Sequence, residues 1–287
     1  MEVFEQLQKE CEGDAVMVMQ RALQKAEGPL PGLACALLGM VSLELREQAV
    51  SLHALRALGQ TPKLASLLLD SCQVCNLGAR ALAASLSLRT LALPRNEVGD
   101  AGAQALALLP SLGQLDLAHN EVGDAGAVKL AGAASLWSLR LDGNLLGDVG
   151  ASALAAAPNL RALQLRNCEN LCDSGVAALA SAPHLRKIAL DDNLLGDDAA
   201  DWFARWSQAT DLRLRANSIG PSGAAALARG RFRSLDLGQN PLIGDEGASA
   251  LVGAQGLEEL RLDGCGVSAG FARSLQGRPS VPGVMVL

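Results

Sequence analysis

The sequence predicts an α/β solenoid: a horseshoe of stacked strand–loop–helix units, with a parallel sheet on its concave side, helices on its convex side and a helical cap at the N-terminus. Three observations predict it. Residues 112–135 make one complete unit, opening with Leu112, Leu115, Leu117 and Asn120 and passing through a loop into a helical run from Asp124. The same opening returns at Leu64, Leu88, Leu136, Leu160, Leu185, Ala209, Phe232 and Leu257, 23–25 residues apart. A Gly-Asp pair then recurs ahead of the helix, as at Gly99-Asp100, Gly123-Asp124 and Gly147-Asp148. A fixed period in the range of about 20–29 residues marks stacked repeats. Stacking also overrides the prior that 287 residues would split into two domains.

Within each unit the Leu-x-Leu segment reads as a short strand whose leucines point inward, each contributing roughly 1.5–3 kcal/mol on burial. Asn96, Asn120, Asn144, Asn193, Asn217 and Asn240 follow the strands. An amide both donates and accepts, so stacked Asn side chains can satisfy successive turns. Cys72, Cys168 and Cys265 stand in the same position as small, weak donors. The Gly of Gly-Asp is expected to permit unusual loop angles, and the Asp to cap its own helix. Small residues in Gly-Ala-x-x-Leu-Ala let neighbouring helices approach, and Pro110, Pro158 and Pro183 stop them.

Residues 1–60 differ and are read as a helical N-terminal cap with one degenerate repeat; residues 61–287 form nine repeats plus a terminal partial one from Val281. The degenerate repeat is aligned on Leu38, Val41 and Leu43, with Arg46 in the Asn place. Val281, Val284 and Val286 end the sheet without a visible cap, which predicts weak self-association through the C-terminal edge.

Composition narrows the function. Net charge is −6 with both signs interspersed, aromatics are 2% and Tyr is absent, so a nucleic-acid partner is not expected. No stretch is long and apolar enough to span a bilayer, and the Met1-Glu2 start lacks a basic n-region. Seven cysteines with no disulfide spacing suggest a reducing, cytoplasmic setting. Cys72-Gln73-Val74-Cys75 lacks the second pair that zinc usually needs, and the Asp series comes one per turn instead of converging as calcium requires. His53, His119 and His184 fall in different repeat positions, so neither a catalytic constellation nor a cofactor is expected.

LxxLxLxxN followed by Gly-Asp and GAxALA resembles the leucine-rich repeats, in particular the ribonuclease-inhibitor-like class with 24-residue GALA-type repeats. Gly150-Ala151-Ser152-Ala153-Leu154-Ala155 and Gly223-Ala224-Ala225-Ala226-Leu227-Ala228 carry that motif. The resemblance implies a non-enzymatic scaffold for a protein partner. It also implies two alternatives: a ubiquitin-ligase adaptor or effector, since some GALA proteins carry an F-box, and a small-GTPase activator. Leu30-Pro31-Gly32-Leu33 is at most a faint echo of an F-box, and the rest of residues 1–60 departs from one.

Once architecture has claimed its residues, the outward strand positions remain for a partner. One column includes Asp116, Arg140, Gln164, Arg213, Asp236 and Arg261; the next includes Asp142, Arg166, Asp191 and Arg215. Signs alternate along the second and, in the first, within Asp116–Arg140 and Arg213–Asp236–Arg261, and side chains on strands about 4.8 Å apart can pair. His119 and Trp137 lie beside this face. On the helix side, Phe203 is expected to be buried, Trp206 to fill space beside Ala209, and Trp202 to stand exposed as a possible partner anchor.

Overall fold

A computed structural model of the chain describes residues 39–168, 170–207 and 209–275, with the backbone of 284–285. The chain forms two compact units, Met1–Arg140 and Leu141–Leu287. The expected helices of the N-terminal cap lie outside the described residues.

In the first unit, β1 (Ser42–Arg46), β2 (Ser66–Asp70), β3 (Thr90–Ala92), β4 (Gln114–Asp116) and β5 (Ser138–Arg140) pair in chain order, all parallel. Between them run α1 (Leu52–Gly59), α2 (Asn76–Leu82), α3 (Asp100–Leu106) and α4 (Asp124–Ala131). The second unit begins with α5 (Asp148–Ala155). It continues through β6 (Ala162–Gln164), α6 (Asp173–Ala180), β7 (Lys187–Ala189), α7 (Asp197–Ala204), β8 (Asp211–Arg213), α8 (Pro221–Leu227) and β9 (Ser234–Asp236). It ends with α9 (Gly244–Val252), β10 (Glu259–Arg261), α10 (Ala269–Leu275) and β11 (Val284–Met285). Strands β6–β11 are likewise parallel and in chain order. This is the α/β solenoid the sequence predicts.

The core lies between sheet and helices in each unit. Register sets like on like: Leu67, Leu91, Leu115 and Leu139 are mutual neighbours in the first unit, and Leu163, Ile188, Leu212, Leu235 and Leu260 in the second. All are buried, as are the helix residues Leu82, Leu106 and Leu130 on one side and Leu154, Leu179, Phe203, Leu227 and Leu251 on the other. Among the described residues no helix is long and apolar enough to cross a membrane.

The asparagines tie each turn to the one before it. Asn217 accepts from the N–H groups of Asn193 and Leu195 (3.2 and 2.9 Å) and donates to the carbonyls of Leu190 and Arg215 (3.0 and 3.1 Å). The cysteines take over the donor half. Cys72 Sγ reaches the carbonyls of Leu45 and Asp70, as Asn96 Nδ2 reaches those of Leu69 and Pro94.

Three expectations are corrected. First, the degenerate repeat is set two residues later than its sequence alignment. Leu43 and Leu45 are buried and face Leu67 and Leu69, while Val41 is 58% exposed. Gln48, not Arg46, therefore occupies the Asn place.

Second, the loop Gly supplies an unusual angle at Gly244 (φ 59°) but not in the other Gly-Asp pairs. Gly99, Gly123 and Gly147 are extended, with φ of −101°, −101° and −121°. The left-handed residue is instead the one before the Asn or Cys position, as at Arg95, His119, Asn167 and Ala216.

Third, the Asp does not cap its own helix. Asp100 Oδ1 accepts from the N–H groups of Gly123 (2.8 Å) and Gly126 (2.9 Å), one repeat later. Asn76 does the same for Gly99 and Gly102, and Asp197 bonds Gly220 (2.7 Å). The carboxylate sits where the next helix presents its unpaired N–H groups and positive dipole end. This explains the Gly of the GA motif: a Cβ on Gly126 would lie 2.7 Å from Asp100 Oδ1 and 2.9 Å from Val122 Cγ1.

Candidate functional site: the outward face of the sheet

In the first unit the outward face carries one of the expected ion pairs. Arg140 Nη1 lies 3.3 Å from Asp116 Oδ2, with both side chains partly exposed. Asp116 is fixed from below, since its Oδ1 accepts the Ala118 N–H at 2.9 Å. Beside the pair, Trp137 is 43% exposed. Its indole occupies the space a side chain at residue 113 would need: a Cβ on Gly113 would lie 2.5 Å from Trp137 Nε1. Trp137 is thus a partly exposed aromatic plate held on the strand edge. His119 is exposed but sits in the turn at φ 55°, off the strand itself.

Sequence reasoning missed a clamp here. Asp70 is buried and paired to Arg46 (3.4 Å, Oδ2) and, more closely, to Arg95. The signal was available, because Arg95 stands one repeat plus one residue after Asp70.

In the second unit the column just past the strands is far less exposed than expected. Asp142 is 3% and Asp191 7% exposed. Both hold the backbone of the next turn: Asp142 Oδ1 accepts the Arg166 N–H (2.9 Å) and Asp191 Oδ1 the Arg215 N–H (3.0 Å). Burial raises the Asp191 carboxyl above the usual carboxylate range, against the lowering effects of the Arg215 N–H and the Arg166 guanidinium. Arg166 Nε lies 2.8 Å from Asp191 Oδ2 as an ion pair, without hydrogen-bond alignment.

The expected alternation fails at Arg215. Its Nη1 lies 2.7 Å from Asp263 Oδ2, on a strand-end two repeats away. Burial pushes the Asp263 carboxyl up, but hydrogen bonds from Arg215 and Gln239 outweigh it and hold it below the usual range. Asp236 is buried and bonds the Gly238 N–H (3.1 Å), and Arg261 stands 3.7 Å from it. Gln164 and Arg213 lie on neighbouring parts of the face.

The helix side follows the sequence reading in its packing. Phe203 and Trp206 are buried, with ring centroids 5.8 Å apart. Trp202 is 43% exposed, with the Arg205 guanidinium 5.6 Å above its ring. Arg205 also pairs with Asp201 at 2.6 Å. Trp202 thus lies on a different surface from the sheet residues. Among the described residues no three His, Cys, Asp or Glu side chains gather into a metal site.

A Leucine Rich repeat family model matches residues 84–107, 109–131, 133–155, 156–180 and 232–252. Among solved structures the chain is similar to an internalin (inlF) from Listeria monocytogenes, at 19% identity over 93% of this chain and 92% of that one, with a TM-score of 0.52. It is similar to a chain of the yeast Rad7–Elc1 complex, at 17% identity over 100% and 95%, TM-score 0.52. It is also similar to the TLR13 chain of a TLR13–ssRNA13 complex, at 20% identity and TM-score 0.56. That match covers 80% of this chain but 33% of the TLR13 chain. No curated protein matches by sequence. At these identities the likeness is one of fold.

Proposed function

We propose that this leucine-rich repeat protein is a non-enzymatic scaffold that holds a protein partner against the outward face of its sheet, the face expected to be concave. The carrying observation is how the charges there are mounted. Asp116, Asp142, Asp191 and Asp236 each hold a backbone N–H, and Arg140, Arg166 and Arg261 extend from Asp116, Asp191 and Asp236 with partly exposed side chains. A surface pre-ordered in this way loses less side-chain entropy on docking. Its alternating signs suit a protein of mixed charge better than a polyanion.

The Trp137 plate adds the kind of rigid aromatic anchor that dominates many interfaces. Trp202, stacked under Arg205, is a separate anchor on the helix side. A reducing, cytoplasmic setting fits Cys72, Cys168 and Cys265, which are buried as free thiols.

The main test is capture of partners by the full chain, compared with Arg140→Glu, Arg261→Glu and Trp137→Ala. Arg140 and Arg261 are partly exposed, so reversal spares the core. Loss of the same captured protein in all three supports the reading. Capture indifferent to all three removes the sheet face as the docking surface.

A further inference from the structure

The sheet face of the second unit is not evenly filled. A depression of about 180 Å³ opens where Ala162 on β6 and Ala189 on β7 replace longer outward side chains. Leu163 and Ile188 lie beneath, and Gln164, Arg166, Lys187, Asp211 and Arg213 form the walls. The walls therefore carry three cations and one anion.

Most of that charge is already used. Arg166 pairs with Asp191 at 2.8 Å and Lys187 with Asp211 at 3.3 Å. Asp211 is further occupied by the Thr210 hydroxyl at 2.7 Å. Asp191 is buried, its Oδ1 held by the Arg215 N–H. Arg213 differs: it is exposed and makes no side-chain hydrogen bond or ion pair among the described residues. Its charge acts at longer range on the Asp191 carboxyl, which it helps to lower, but no carboxylate is bonded to it, so its fork is open at the rim of a hollow with an apolar floor.

We propose that this depression receives the carboxylate of an Asp or Glu side chain on the protein partner, paired with Arg213, with Gln164 as a second polar contact. The proposal deepens the scaffold reading and rests on it, since it names the chemistry this part of the face selects. A guanidinium presents a planar fork that matches a carboxylate with two parallel N–H bonds. The hollow is short and flanked by paired charges, which suits one acidic side chain of a peptide at a time. The chain as a whole carries −6, so an acidic probe that binds it must find a local site.

The test uses the full chain and a fluorescein-labelled peptide of six glutamates, followed by anisotropy at about 0.1 M salt. Six glutamines serve as the neutral reference. Saturable binding of hexaglutamate, weaker binding of hexaglutamine and a loss of about tenfold in Arg213→Ala are expected. Arg213→Lys restores part of the affinity. Ala162→Leu, which fills the hollow without touching a charge, also weakens binding, and Arg205→Ala on the helix side does not. Absence of saturable binding, or affinity indifferent to Arg213→Ala, overturns the proposal. If partner capture still depends on Arg140 and Arg261 while hexaglutamate ignores Arg213, the acidic subsite falls and the scaffold stands. If capture ignores Arg140, Arg261 and Trp137 too, both fall.

Discussion

Arg215 and Asp263 stand two repeats apart, yet their side chains meet at 2.7 Å across the intervening turn. The residue they pass over is Gly238. A Cβ there would lie 2.5 Å from Arg215 Nη1 and 2.6 Å from Asp263 Oδ1. The empty position lets the ion pair skip a repeat, and Asp263 is then also within reach of Gln239 (3.5 Å).

Gly238→Ala should therefore act by separating this pair. Both partners are partly exposed, so the loss of stability is small, about 0–1 kcal/mol. The sharper readout is the Asp263 carboxyl, now held low by Arg215 and Gln239. NMR titration should show it rising toward the ordinary range in Gly238→Ala, and rising as far in Arg215→Ala. The double variant should add little beyond either single one. Fully additive effects would show that Gly238 does not act through this pair.

Asp100→Ala should uncap the helix of the following repeat. It leaves the Gly123 and Gly126 N–H groups without the carboxylate that accepts from both. The expected cost is about 1–2 kcal/mol in urea unfolding. Asp100→Asn should be nearly neutral, because Asn76 already performs the same task one repeat earlier. Hydrogen exchange places the effect: faster exchange at Gly123 and Gly126 is expected, whereas faster exchange confined to α3 would contradict capping across repeats.

These two relationships show what the sequence could and could not reveal. The period, the strand leucines and the Asn positions were legible because each residue type recurs with one physical task. The Asp was legible as a cap, but spacing within one repeat cannot say whether it serves its own helix or the next. The two-residue slip at β1 was hidden for a related reason. Strand side chains alternate faces with period two, so aligning on Val41 and Leu43 or on Leu43 and Leu45 gives the same inward pattern. Only the pairing of Leu43 with Leu67 decides it. At the candidate site, sign alternation foretold Asp116–Arg140 and Arg166–Asp191. It missed Arg215–Asp263 because that pair depends on a side chain being absent between them.

Asp191 should make stability depend on pH in the opposite sense to an ordinary salt-bridged carboxylate. Its carboxyl is raised in the folded chain, chiefly by burial. Between the unfolded and folded values the native state holds a proton that the unfolded chain has released. Stability contributed by this group is fully present below the unfolded value and is lost as pH rises through the folded one. Asp191→Asn removes that titration while keeping an oxygen for the Arg215 N–H. Comparing the two proteins by urea unfolding between about pH 4 and 7 should show the wild-type advantage shrinking as pH rises. An advantage that grows with pH would mean that the Arg166 pairing outweighs burial.

Cys168 should be the least reactive thiol of the described chain. It lies in the Asn position, fully buried, with Sγ 3.7 Å from the carbonyls of Leu141 and Arg166. Burial pushes its pKa up to about 12. The thiolate is the reactive form, so alkylation of native Cys168 should stay negligible at neutral pH and remain slow at about pH 9. Cys172, four residues on, is exposed and provides an internal comparison on the same peptide. Iodoacetamide labelling read by mass spectrometry should modify Cys172 first and reach Cys168 only when urea opens the repeat. The rate at Cys168 then reports opening of the repeat itself, and Asn193→Ala should raise it, because Asn193 Oδ1 holds the Cys168 N–H at 2.8 Å. Equal labelling of both thiols in the native chain would contradict the buried placement on which the substitution of Cys for Asn depends.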